Sequence, residues 1–132
     1  MSFKKVAQDT AAVLQSYLTY QAVRTIINQL SETNPRQAIW LSQYSDRQKI
    51  QDSETYLEGL MSENKELLLR ILTVRKHLAE QVLEFLPEMV STGIEKSNIE
   101  HRRNLLERLT QTQTSSTTSS PPETPKTDLD SN

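Results

Sequence analysis

Apolar residues recur at three- and four-residue spacing through most of the chain, and no segment alternates apolar and polar over a strand's length. That spacing predicts helices and no sheet. The first helix is expected from about Lys4 to Ser31, stopping before Glu32-Thr33-Asn34-Pro35. There Asn34 can cap a second helix that has Pro35 at its first position. The second helix carries Ala38, Ile39, Trp40 and Leu41 and fades near Tyr44 to Asp46, with Ser45 to Gln51 read as a loop. Asp52 or Ser53 caps a short third helix containing Tyr56, Leu57, Leu60 and Met61, and Asn64 caps the fourth.

The fourth helix raises a packing problem. Its apolar stripe runs from Leu67, Leu68 and Ile71 through Leu78, Val82, Phe85, Met89, Ile94, Ile99 and Leu105 to Leu109, interrupted only by Pro87 and Gly93. Pro87 removes one backbone hydrogen bond and is expected to kink the helix. A helix from 64 to 109 would be about 68 Å long at about 1.5 Å per residue. A compact domain of about 110 residues has a radius of gyration near 13 Å, so its own chain cannot cover such a helix. Either the helix breaks at Pro87 and folds back, or a second chain packs along it. No turn cluster surrounds Pro87, so the expectation is a kinked helix and a homodimer.

The first helix is apolar on too many sides. Val6, Val13, Tyr17 and Tyr20 share a face with Thr10 and Arg24; Ala7, Ala11, Leu14, Leu18 and Ala22 form a second; Val23, Ile26 and Leu30 form a third. A helix apolar nearly all round is buried or touches more than one thing. The small-residue face can pack closely within the chain. For the tyrosine face the plain reading is core, with hydroxyls reaching the surface. The sharper reading is a binding groove, where tyrosines supply rigid area and a polar tip.

Composition then sets the boundaries. From Thr110 to Asn132 about half the positions are Ser or Thr, three are Pro, and Leu129 is the sole apolar side chain. Such a stretch buries too little to offset the entropy of ordering it, so residues 1–109 are expected to fold and 110–132 to form a disordered tail. Of 17 acids and 15 bases, three acids and one base fall after Leu109, which leaves the folded part neutral. It has no excess of basic charge to hold a phosphate backbone, and nucleic acid is not an expected partner. The chain has no Cys, so disulfides and thiolate chemistry are out, and a reducing compartment fits. No apolar run approaches the roughly 18 residues of a membrane span, and the N-terminus lacks the apolar core of a signal peptide.

No catalytic constellation can be assembled. His77 and His101 lack an acid three residues before them, so the Glu-x-x-His of di-iron bundles is missing. His77 with Glu80 and Glu84 shares a helix face, a spacing common on solvated helices. There is no Gly-x-Ser-x-Gly elbow, and two isolated glycines, Gly59 and Gly93, cannot make a phosphate loop. The cluster Glu100-His101-Arg102-Arg103 reads as a solvated face. The expectation is no enzyme, no cofactor and no metal, but a protein that binds another protein.

Four stretches sharpen that expectation. Ser16-Tyr17-Leu18-Thr19-Tyr20-Gln21-Ala22, Glu32-Thr33-Asn34-Pro35, Phe85-Leu86-Pro87-Glu88-Met89-Val90 and Asn98-Ile99-Glu100-His101-Arg102-Arg103 resemble RbcX, the cyanobacterial assembly chaperone family of Rubisco. The similarity runs in order through essentially all of residues 1–110, and the tail lies outside it. The resemblance implies an all-helical, arc-shaped homodimer with long, kinked fourth helices packed antiparallel, using no nucleotide. It implies a central apolar groove for the C-terminal peptide of the Rubisco large subunit, mapped onto Thr10, Val13, Tyr17, Tyr20, Ile50 and Gln51. It also implies peripheral contacts to the folded body of the large subunit, mapped onto Gln29, Glu32, Thr33, Asn34, Arg70 and Arg102. Pairs of large subunits would be held while the octameric core forms, and the chaperone would leave when small subunits bind. The implied place of action is the cytoplasm, with the carboxysome a further one. The alternative from another class is a helical dimeric scaffold or regulator without a peptide groove.

Overall fold

The structure, a computed structural model, describes residues 2–48 and 52–119, with side chains as far as Thr112. Four helices follow one another: α1 (Phe3–Thr33), α2 (Pro35–Gln48), α3 (Ser53–Glu63) and α4 (Lys65–Ser119). The described residues contain no strand, as the periodicity requires.

The helix starts fall where the capping residues put them. Asn34 Oδ1 accepts from the Gln37 N–H at 3.3 Å, Asp52 Oδ1 from the Glu54 N–H at 3.2 Å and Asn64 Oδ1 from the Leu67 N–H at 3.1 Å. Each satisfies an amide that a helix start leaves without a partner. Two helix ends differ from the sequence reading. α2 continues through Ser45 to Gln48, where a loop from Ser45 is expected. Burial of Tyr44 and a hydrogen bond from Ser45 Oγ to Leu41 O keep the last turn helical. α4 runs past Leu109 to Ser119; the Thr110 and Thr112 hydroxyls donate to Leu106 O and Arg108 O in that stretch. The disordered tail expected beyond it lies, from residue 120 on, outside the described residues.

The chain divides into two compact units, Met1–Phe85 and Leu86–Asn132. The first holds the whole core. Ala22, Val23, Ile26 and Leu30 of α1 meet Ala38, Leu41 and Tyr44 of α2, Tyr56, Leu57 and Leu60 of α3, and Leu67, Leu68 and Ile71 of α4. Trp40 and Tyr44 stack at 5.3 Å, one helical turn apart, and Tyr56 packs against Tyr44 at 5.6 Å. One buried polar group is tied in rather than left alone. The Thr19 hydroxyl donates to Gln15 O at 2.8 Å and accepts from Arg75 Nη1 at 3.2 Å, and the same nitrogen reaches Glu54 at 2.9 Å. A buried hydroxyl without partners would cost about 1–3 kcal/mol.

As far as it is described, the second unit is the remainder of α4, and none of its described side chains is buried. Met89, Val90, Ile94, Ile99, Leu105, Leu106 and Leu109 are all exposed along it. Pro87 lies inside α4 at the start of this unit.

Candidate functional site

Thr10, Val13, Tyr17 and Tyr20 lie three or four residues apart on α1, inside an arc of about 80° at about 100° per residue. The core side of the same helix, from Leu18 through Ala22 and Ile26 to Leu30, occupies a different arc. The tyrosine face is therefore not core: Val13 is 71%, Tyr17 56% and Tyr20 44% exposed. This overturns the plain reading of that face. The small-residue face also differs from expectation, because Ala7 and Ala11 are exposed and burial begins only at Leu18.

The polar groups of the stripe are partly committed. Thr10 Oγ1 donates to Val6 O at 2.8 Å, so toward a ligand it can still accept. The Arg24 guanidinium stands 5.8 Å from the Tyr20 ring centroid, a cation–π contact that braces the ring. Beside Tyr20 a cleft of about 230 Å³ opens between α1 and α2, lined by Val23, Ile27 and Arg24 on one wall and Ser42, Ser45 and Asp46 on the other. Its volume falls below the roughly 300–1,000 Å³ typical of small-molecule and cofactor sites. It suits one side chain of a bound peptide. Two expected groove residues, Ile50 and Gln51, lie outside the described residues. The wall residues Ser42, Ser45 and Asp46 carry no signal in the sequence, where they read as the fading end of a helix.

The peripheral set divides. Arg70 Nη2 donates to Gln29 Oε1 at 3.0 Å, across 41 residues of sequence. Beside this pair Ile26, Leu69, Thr73 and Val74 line a shallow cleft between α1 and α4. Gln29 is nine residues from Tyr20, which at about 100° per residue places it on the opposite side of α1. Glu32 and Thr33 follow within a turn, exposed, with the Thr33 hydroxyl donating to Gln29 O. Asn34 is different: both ends of its amide are engaged with Gln37 at the α2 cap, so its first duty is structural. Arg102 is exposed on the second unit, on a face shared with Ile99, Arg103 and Leu106.

Electrostatics adds little chemistry. Burial pushes the Tyr56 phenol up, and burial followed by the charge of Glu63 pushes Tyr44 up. Hydrogen bonds from the Thr55 hydroxyl, then the Thr55 N–H, hold the Asp52 carboxyl below the usual range. These are structural tyrosines and a helix cap. Among the described residues no three His, Asp or Glu side chains are placed to share a metal ion. No helix among them is long and apolar enough to cross a membrane.

This geometry has counterparts among known proteins. The family pattern described as "RbcX protein" matches residues 1–111. The RuBisCO chaperone RbcX of Picosynechococcus is 67% identical over 122 residues, covering 92% of this chain and 91% of its own. That of Synechocystis is 60% identical over 112 residues, covering 85% and 81%. A crystal structure of RbcX in complex with substrate is 70% identical, superposes with a TM-score of 0.78, and covers 83% of this chain and 99% of its own. Four helices with no strand among the described residues and a family match over residues 1–111 lead to one conclusion: the chain belongs to the RbcX family.

Proposed function

We propose that this protein is a Rubisco assembly chaperone that acts as a homodimer and performs no catalysis. The observation that carries the reading is the exposed stripe Thr10, Val13, Tyr17 and Tyr20 on a helix that turns a different arc, from Leu18 to Leu30, into the core. The names of its relatives supply the client: they are RuBisCO chaperones, and one related structure holds a substrate.

The stripe, with Ile50 and Gln51, is the groove for the extended C-terminal peptide of the Rubisco large subunit. Apolar and aromatic side chains of the peptide are buried against the tyrosine rings, each large one worth about 1.5–3 kcal/mol when fully covered. Gln29, Glu32, Thr33 and Arg70 on the first unit, and Arg102 on the second, meet the folded body of the large subunit, with Asn34 capping α2 beside Glu32 and Thr33. Exposed charges of this kind give orientation and partner choice more than affinity. Two modest contacts to one client reinforce each other through effective concentration, and they still allow release when small subunits arrive. The homodimer is supported by the second unit, whose seven exposed large apolar side chains have no cover among the described residues. A partner helix along them supplies it.

Co-expression with the large and small subunits of a cyanobacterial Rubisco tests the proposal. Native gels should show more of the assembled octameric core with the chaperone than without it. Unchanged assembly, with no binding of the C-terminal peptide from the large subunit, would favour a helical scaffold without a peptide groove.

A further inference from the structure

Tyr56 is buried on α3, yet its hydroxyl lies 2.7 Å from Ser45 Oγ, and Ser45 lines the cleft beside Tyr20. The direction of that hydrogen bond follows from proton bookkeeping. A serine hydroxyl has one proton, and Ser45 gives it to Leu41 O at 2.8 Å. Tyr56 is therefore the donor and Ser45 the acceptor. With its proton committed backward and one lone pair filled by Tyr56, Ser45 keeps one lone pair to offer. While both bonds hold, the hydroxyl presents an acceptor and not a donor to the cleft. Tyr56 is itself held: it packs on Tyr44, which stacks on Trp40, and both tyrosines are almost fully buried. The relay thus runs from a rigid aromatic cluster to the wall of the cleft.

We infer that Ser45 is a client-contacting acceptor for a backbone or side-chain N–H of the bound peptide, and that Tyr56 is the positioning residue that holds it in that role. The inference rests on the peptide-binding reading above and adds the chemistry of one wall: the cleft beside Tyr20 accepts a hydrogen bond there. An extended peptide offers a row of backbone N–H donors. Tyr56 touches no client and acts through Ser45 alone.

The full-length protein and its Ser45→Ala, Tyr56→Phe and double variants are titrated calorimetrically with the C-terminal peptide of the Rubisco large subunit, well below each melting temperature. Ser45→Ala and Tyr56→Phe should each weaken binding about fivefold, the scale of one neutral hydrogen bond. The double variant should lose about fivefold too, because both changes break one relay. Tyr44→Phe is the control: it alters the same aromatic cluster away from the cleft wall and should leave affinity unchanged. Wild-type affinity in folded Tyr56→Phe, a multiplicative loss in the double variant, or an equal loss in Tyr44→Phe overturns the positioning role. Should Tyr56→Phe fail to fold, unchanged affinity in Ser45→Ala overturns the contact by itself, and a fivefold loss there supports it. No binding by the unmodified protein overturns the peptide-binding reading and the inference with it.

Discussion

Arg70 reaches across from α4 to donate to Gln29 on α1 at 3.0 Å, on the side of α1 turned away from Tyr20. The pair is solvent-facing, so it adds little to stability, about 1 kcal/mol at most. Its place is on a surface, beside the shallow cleft of Leu69 and Thr73.

Arg70→Ala or Gln29→Ala should therefore leave melting temperature and peptide affinity close to wild type while reducing assembly of the Rubisco core. Calorimetry with the client peptide beside a native-gel assembly assay reads both. Equal loss of peptide binding in the Arg70 and Tyr20 variants would merge the two surfaces into one.

Gly59 gives a stability prediction. A Cβ built there stands 2.6 Å from the Tyr44 hydroxyl, on a ring locked between Trp40 and Tyr56. Replacing a helical glycine by alanine ordinarily gains about 1 kcal/mol, but overpacking a fixed core costs about 1–3 kcal/mol. Gly59→Ala should lower stability in a denaturant titration. A gain would show that Tyr44 moves aside freely.

Two pH limits follow from the cap and the buried phenols. The folded Asp52 carboxyl lies below its ordinary 3.8, so its contribution is present above about pH 4 and is lost as pH falls through the folded value. The Tyr56 phenol lies above its ordinary 10.0, so its contribution is present below about pH 10 and is lost as pH rises through the folded value. Melting curves across both ranges should show Asp52→Asn less sensitive to acid and Tyr56→Phe less sensitive to alkali than the parent. Slopes unchanged by either substitution would remove those groups from the account.

Local chemistry is legible in the sequence, and distant contacts are not. Asn34, Pro35, Asp52 and Asn64 announce their helix starts because caps act within three residues. The end of α2 escapes such reading because Ser45 is held by Tyr56, eleven residues away, which no local pattern encodes. Helical spacing groups Tyr17 with Tyr20, but amphipathic residues suit a core edge and a groove equally well. Only the arc that α2 and α3 cover on α1 decides between them. The small-residue face of α1 misleads for the same reason: Ala7 and Ala11 lie beyond the reach of the core.

The apolar second unit makes the homodimer testable. Leu105→Glu with Leu109→Glu should lower the melting temperature and yield monomer or aggregate by light scattering, since charges would replace side chains that the proposed partner helix would cover. A well-folded monomer of the unmodified protein would contradict the proposed dimer.

The central claim is that the exposed tyrosine stripe of α1 is where the client peptide binds, and titration of folded Tyr20→Ala with the C-terminal peptide of the Rubisco large subunit tests it most directly. The account predicts loss of binding, because an aromatic anchor typically contributes about 2 kcal/mol or more, with a melting temperature near wild type, because the ring is 44% exposed and outside the core. Full peptide affinity in the folded variant would contradict the account and place the groove elsewhere.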